Sequence, residues 1–443
     1  MSKQLRITNN VFFALTDDVT GQEPVATFSA NRVGQYENNP GLTELNITSV
    51  FRGFSELRKE INGNLVKMDE SVLVALLGLM TGDNVFLLSL PGAAKSTMSA
   101  MIGKAINGNF WRKNFTPGMD EADIYGPVSL TELAQNRFVR AYSGLATAHY
   151  ALCDEIFKAD PRTLSLLLDA TEEKRLYGAT GEHVMPLLSV ISASNELPCA
   201  NNQSAIWDRF GYRFEIERNS NADDLIAMIG ASGSNSVIKT RLSPEDIMLV
   251  QAYCGYMAKH LPDDIKKEIK KIYKGLQSSK NAITLSNRRW LVYCRAIWAK
   301  YMLSVAEAGM NGKAPTKEMK ERLLREAMTV GKYILWVAPE DREVINDILL
   351  ASTSVAYRVI SDAKARIEKI YNNINTSDQA KVQSFLKEIG LQIGNLKKVE
   401  SDPETSKEDV EAVKDLINKA GALQSELIEN QSKLVLEMQM SGN

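Results

Sequence analysis

The chain has 443 residues, 44% of them hydrophobic and 24% charged, with a formal net charge of −2. That is enough apolar material for two or three packed domains, and the near-neutral balance argues against a general binder of nucleic acid or anionic membrane. The four cysteines form no CxxC pair and the three histidines are scattered, so neither a zinc framework nor a disulfide scaffold is expected; the N-terminus MSKQLRITNN lacks an apolar signal core and no apolar run is long enough to span a bilayer, so a cytoplasmic protein is expected.

Residues 1–49 carry short β-type runs, VFFAL and PVATFSANRV, broken by Asn, Gly and Pro, and read as a β-rich appendage. Residues 50–78 turn helical, with Phe51, Phe54, Leu57 and Ile61 at spacings of three and four. After Gly82-Asp83, VFLLSL reads as a buried parallel strand and KSTMSAMIGKAI as a helix. HYALC, SVISAS and YRFEIE are strand-like, and RTLSLLLDATEEK is helical. This alternation predicts an α/β domain over 50–218 with a mostly parallel sheet. Residues 219–243, rich in Asn, Ser and Gly, read as a linker.

From Pro244 the pattern is helical. Ser243 suits an N-cap, Pro244 the first helical position, and Glu245 and Asp246 the first turn. An all-α domain is expected over 244–340 and a three-helix domain over 341–443, with helices near 341–371, 378–399 and 406–438. Val382, Phe385, Ile389, Ile393 and Leu396 line one face of the second; Val413, Leu416, Ala420, Leu423, Leu427 and Leu434 line the third, which Ser406 and Asp409 open in the manner of a capping box. These stripes read as bundle core, and the charge run IKKEIKKIYK as a solvated helix face.

The stretch Ser89-Leu90-Pro91-Gly92-Ala93-Ala94-Lys95-Ser96 aligns with the phosphate loop G-x-x-x-x-G-K-[ST]. Such a loop turns backbone N–H groups towards phosphate, sets a lysine on the outer phosphates and a hydroxyl on Mg²⁺. Lys95 and Ser96 supply the last two, and the helix start near Lys95, Ser96 and Thr97 offers its positive end to an anion. Serine replaces glycine at 89, where a side chain could crowd a tight turn. Alanine replaces it at 94, where a helix start is expected to keep φ negative. HYALCDEI is an apolar strand ending in Asp154-Glu155, the Walker B pattern: the aspartate holds Mg²⁺ and the glutamate takes a proton from the attacking water. VISASNE ends a further strand in Asn195, suited to orienting that water or, alternatively, to a simple turn.

Together these residues resemble the MoxR family of AAA+ ATPases, most closely its RavA-like branch, over roughly residues 55–300. LPGAAKS is similar to the family loop G-P-P-G-x-A-K-S, in which Ala94 is typical and Ser89 is the departure; FTPGMDEADIYGP, the segment 138–176 and SASNELP follow the family in order. The resemblance implies an AAA+ P-loop core, an all-α lid, ATP or ADP with Mg²⁺, and a homo-oligomeric ring, commonly a hexamer. It places Pro91 to Thr97 with Asp154 on the nucleotide, and Ser96 and Asp154 on the metal. In AIWDRFGYRFEIE it implies Arg209 as a finger reaching the neighbouring subunit's nucleotide, with Arg213 second. In LSNRRW it implies Arg288 as the lid arginine, with Arg289 adjacent. It further implies remodelling of a protein partner, one with a von Willebrand A-type domain by analogy. A ring in which hydrolysis is weak, and a nucleic-acid motor, stand as the alternatives.

Overall fold

A computed structural model of the chain describes residues 6–7, 10–14, 25–29, 47–90, 94–178, 181–197, 208–216, 238–280, 282–308, 316–353, 355–371, 379–402, 405 and 407–441. Pro91, Gly92 and Ala93 of the loop, most of the expected linker and the Ser406 cap lie outside these residues. The chain divides into two compact units, residues 1–269 with 276–345, and residues 270–275 with 346–443.

The first unit begins with a small antiparallel sheet of β1 (Arg6–Ile7), β2 (Asn10–Ala14) and β3 (Val25–Ser29). Helix α1 (Ile47–Asn62) buries Phe51, Phe54, Leu57 and Ile61, the stripe its spacing predicts. The chain turns at 63–68 before α2 (Asp69–Thr81), so the helical stretch expected over 50–78 is two helices. Every residue of α2 from Ser71 to Thr81 is buried, as befits a helix apolar on all sides. A Cβ on Gly78 would meet Val85 Cγ2 at 2.2 Å, so glycine is what lets α2 lie against β4 (Val85–Leu88).

Strand β4 leads through the loop into α3 (Lys95–Ala105), then β5 (Phe110–Asn114) and the short helices α4 (Glu121–Tyr125) and α5 (Leu130–Leu133). Next come β6 (Tyr150–Asp154), α6 (Pro161–Glu173), the antiparallel hairpin β7 (Arg175–Gly178) and β8 (Gly181–Val184), β9 (Ser189–Ser194) and β10 (Tyr212–Glu215). The sheet order is β10-β4-β9-β6-β5, with every pairing parallel. Val85–Leu87 and Tyr150–Cys153 are buried throughout, which is why these strands read as continuous apolar runs rather than alternating ones, and Ser189–Ser194 is buried throughout although three of its six residues are serines. Each large apolar side chain so enclosed contributes about 1.5–3 kcal/mol. Because β9 lies between β4 and β6, the residues that follow these three strands emerge side by side along one edge of the sheet.

The helical part of the unit starts at α7 (Pro244–Met257). Asp246 N–H donates to Ser243 Oγ at 3.0 Å and Ser243 N–H donates to Asp246 Oδ2 at 3.1 Å, a reciprocal cap. Helices α8 (Asp263–Ser278), α9 (Asn287–Glu307) and α10 (Lys317–Ala327) follow, and α9 packs Val292, Tyr293, Ile297 and Trp298 inward, against α1, α2, α7 and α10.

Over the helix expected at 341–371 the described residues are helical in α11 (Asp341–Thr353) and α12 (Val355–Tyr371), with residue 354 between them outside the described residues. In the second unit α12, α13 (Gln379–Glu400) and α14 (Lys407–Ser441) pack mutually around Ile367, Val382, Ile389, Leu396, Val413, Ala420, Leu423 and Leu427. The side chain of Leu434 lies outside the described residues.

Candidate active site

The site forms where β4, β9 and β6 end. Ser89 N–H donates to Ser194 O at 3.0 Å, tying the start of the loop to the end of β9. Ser89 is buried and keeps out of the left-handed backbone region, and its Oγ donates to Leu90 O at 3.3 Å. Ser89 therefore carries no strain of a left-handed backbone. Ala94 is the opposite case: its φ is +53°, not the negative value expected at a helix start. That conformation costs an alanine roughly 1–2 kcal/mol.

From α3, Lys95 and Ser96 face Asp154 at the end of β6. Lys95 is buried; its Nζ donates to Ser89 O at 3.4 Å and stands 3.8 Å from Asp154 Oδ1. Ser96 Oγ donates to Asp154 Oδ2 at 3.3 Å. Thr97, one residue on, is exposed. Arg112 on β5, absent from any sequence motif, brings its guanidinium to 3.9 Å from Asp154 Oδ2 and is half exposed.

Glu155 follows with φ at +54°, a second strained non-glycine residue in the site. Its Oε2 is enclosed without a hydrogen-bond partner, the nearest cation being Lys158 at 3.6 Å. Asn195, just past β9, likewise holds an enclosed Oδ1 without a partner. A buried oxygen left unmatched costs about 1–3 kcal/mol, so Asn195 Oδ1 at the strand end next to Glu155 suits a polar guest. Next to Asp154, Cys153 is fully buried; burial, and secondarily the Asp154 carboxylate, push its thiol well above the ordinary range. It is therefore no nucleophile.

These residues fit a Mg²⁺–nucleotide: an ammonium and a hydroxyl meet a carboxylate at a helix N-terminus, beside the Glu155 carboxylate and the enclosed Asn195 amide oxygen. Among the described residues no cluster of three His, Cys, Asp or Glu side chains offers a metal site of another kind.

The arginines separate clearly. Arg209 Nη2 donates to Asp169 Oδ1 at 2.5 Å and its Nε lies 3.6 Å from Glu172 Oε2. Arg288 also pairs with Glu172 and is 44% exposed. Arg213 is 1% exposed; it donates to Trp336 O and its guanidinium lies over the Trp336 ring at 5.3 Å. Enclosed in this way it does not reach a neighbouring subunit, and the expectation of Arg213 as a second finger is corrected to a structural role. Arg289 is buried too, donating to Ile334 O at 2.7 Å with Asp208 Oδ1 3.2 Å away; burial lowers it to about 10, against the raising effect of Asp208. Of the adjacent pair, Arg288 is the accessible one. Sequence reasoning also missed Asp169 and Glu172, whose i, i+3 spacing on α6 was the available signal.

A parallel sheet of this order with a phosphate-type loop and an acidic strand end defines a P-loop ATPase of the AAA+ class. Residues 52–251 match the family described as the MoxR domain in the MoxR-vWA-beta-propeller ternary systems. The chain is 31% identical over 288 residues to the uncharacterized protein MJ0812 of Methanocaldococcus jannaschii, covering 65% of this chain and 72% of that protein. It is 28% identical over 130 residues to Chaperone MoxR1 of Mycobacterium tuberculosis, covering 29% of this chain and 33% of that one. A crystal structure of a candidate ATPase from Cytophaga hutchinsonii superposes with a TM-score of 0.52 at 17% identity, over 68% of this chain and 95% of the other, a likeness of fold. The chain belongs to the MoxR family of AAA+ ATPases. No helix among the described residues is long and apolar enough to cross a membrane.

Proposed function

We propose that the chain hydrolyses ATP as a subunit of a cytoplasmic ring, of RavA-like type and hexameric, and uses the motion to remodel a protein partner. Residues 50–218 act as the nucleotide-binding domain, 219–243 as linker, 244–340 as lid and 341–443 as a helical appendage. The observation that carries this reading is the meeting of Lys95, Ser96 and Asp154 at the strand end that also bears Glu155, next to the one that bears Asn195. Lys95 neutralises the outer phosphates, and the loop that starts at Pro91 offers them the N–H groups of the residues from Gly92 to Thr97. Ser96 and Asp154 hold Mg²⁺, which when bound supplies positive charge at the phosphoryl oxygens. Glu155 accepts a proton from the attacking water, and Asn195 orients that water. Arg209 acts on the neighbouring subunit's nucleotide, and Arg288 closes the lid, each leaving its α6 carboxylate to do so.

The partner is a protein, supported by the name of the chaperone relative and by the pairing with vWA proteins in the description of the matching family. A partner with a von Willebrand A-type domain fits that description. Calorimetric titration with ATP and Mg²⁺ tests the site: wild type binds saturably, and Lys95→Ala loses about tenfold or more in affinity. Equal heats from the two proteins would remove Lys95 from the nucleotide and the proposal with it.

A further inference from the structure

A cavity of about 490 Å³ opens in the first unit between α4, α6 and the β7–β8 hairpin, and no described residue of the phosphate loop lines it. Its walls include exposed apolar and aromatic side chains. Phe138 is 55% exposed and Tyr177 72%, and Leu166 also faces solvent. Tyr142 lines the same space and is held by stacking on His183 at 3.9 Å between centroids, so that wall is preset. Leu130 and Leu133 on α5 are exposed as well. Exposed aromatic side chains gathered at a concavity mark a site of association.

The charges select the occupant. Both arginines bordering the cavity are already matched: Arg140 donates to Glu121 Oε2 at 2.8 Å and to Gly126 O at 2.8 Å, and Arg175 pairs with Glu182. Glu173, at the end of α6, is exposed and makes no ion pair among the described residues. The remaining carboxylate, Asp169, carries only Arg209, the residue assigned above to a different subunit's nucleotide. The net offer of the cavity is therefore aromatic surface with an uncompensated negative charge at its rim.

We infer that this cavity receives an extended segment of the protein partner in which a large apolar side chain, Phe, Tyr or Leu, is flanked by Lys or Arg. The apolar side chain enters between Tyr142 and Tyr177, and the cation meets Glu173 and competes with Arg209 for Asp169. The inference deepens the reading of the chain as a remodeller of proteins and rests on it for the identity of the occupant. Its physical content, a preference for cationic apolar peptide, does not depend on hydrolysis.

The test is fluorescence anisotropy of a short fluorescein-labelled peptide, Phe flanked by Lys, titrated with the full chain without nucleotide. A counterpart with Glu in place of Lys serves as the contrast. Saturable binding of the lysine peptide and little of the glutamate peptide is expected. Tyr177→Ala and Glu173→Gln are each expected to weaken it about fivefold or more. Both residues are exposed, so the variants fold, which superimposable circular dichroism confirms. Equal binding of both peptides, no saturable binding, or undiminished affinity in both variants overturns the inference. Selective peptide binding in a chain that fails to bind ATP overturns the ATPase reading alone.

Discussion

Arg209 donates to Asp169 within its own chain at 2.5 Å, a charge-assisted bond that holds the guanidinium against α6. A residue so held serves a neighbouring active site only by giving this bond up. Arg209→Ala is expected to lower kcat by about a thousandfold with little change in ATP affinity. Mixing Arg209→Ala with Lys95→Ala subunits is expected to restore part of the turnover, since some interfaces then join an intact loop to an intact arginine. No recovery at any mixing ratio contradicts action across subunits.

Arg213 behaves differently. Its bond to Trp336 O and its stacking on that ring are enclosed, so Arg213→Ala leaves a buried carbonyl unmatched. A loss of about 2 kcal/mol or more in stability is expected. Chemical denaturation measures this, and turnover per folded molecule is expected to stay near wild type.

Ala94 at φ +53° bears a conformational cost that glycine does not. Ala94→Gly removes roughly 1–2 kcal/mol of strain but adds about 0.4–1 kcal/mol of unfolded-chain entropy, for a net gain between zero and about 1.6 kcal/mol. Ala94→Val is expected to destabilise by more than this, because a β-branched side chain is least tolerated there. Urea midpoints of the three proteins give the order Gly, Ala, Val.

His149 accepts from Asn109 N–H at 3.0 Å through Nδ1, and burial lowers its pKa, with Glu245 opposing. The folded protein therefore resists protonation more than the unfolded chain does. Above about pH 7.5 the ring is neutral in both states and contributes no pH dependence; as pH falls through its unfolded value near 6.5 the unfolded state gains the proton first, and stability is lost. The fall in Tm between about pH 7.5 and pH 5.5 is expected to be smaller in His149→Gln than in wild type. An equal fall in both proteins assigns the loss to other groups.

Much of the core was legible because strands buried on both faces leave continuous apolar runs, as Val85–Leu88 and Tyr150–Cys153 do. Ser243 and Asp246 announced a helix start because capping is a contact between near neighbours in sequence. What was hidden depends on distant partners. Arg112 sits in FWRKN with no motif around it, and only the parallel pairing of β5 with β6 brings it to Asp154. Arg288 and Arg289 are adjacent in sequence, and only the rotation of α9 buries one and exposes the other. The φ of Ala94 was misread because alanine carries no local mark of a left-handed turn. The β7–β8 hairpin is short and largely exposed, so it left no hydrophobic period to read.

The central claim is that the Glu155 carboxylate, paired with Lys158 at the end of β6, activates water. Steady-state hydrolysis by Glu155→Gln, measured with calorimetric ATP binding on the same preparation, tests this most directly. The expected result is ATP affinity within about threefold of wild type and turnover lowered by at least about a hundredfold. Turnover equal to wild type at equal ATP occupancy would contradict it.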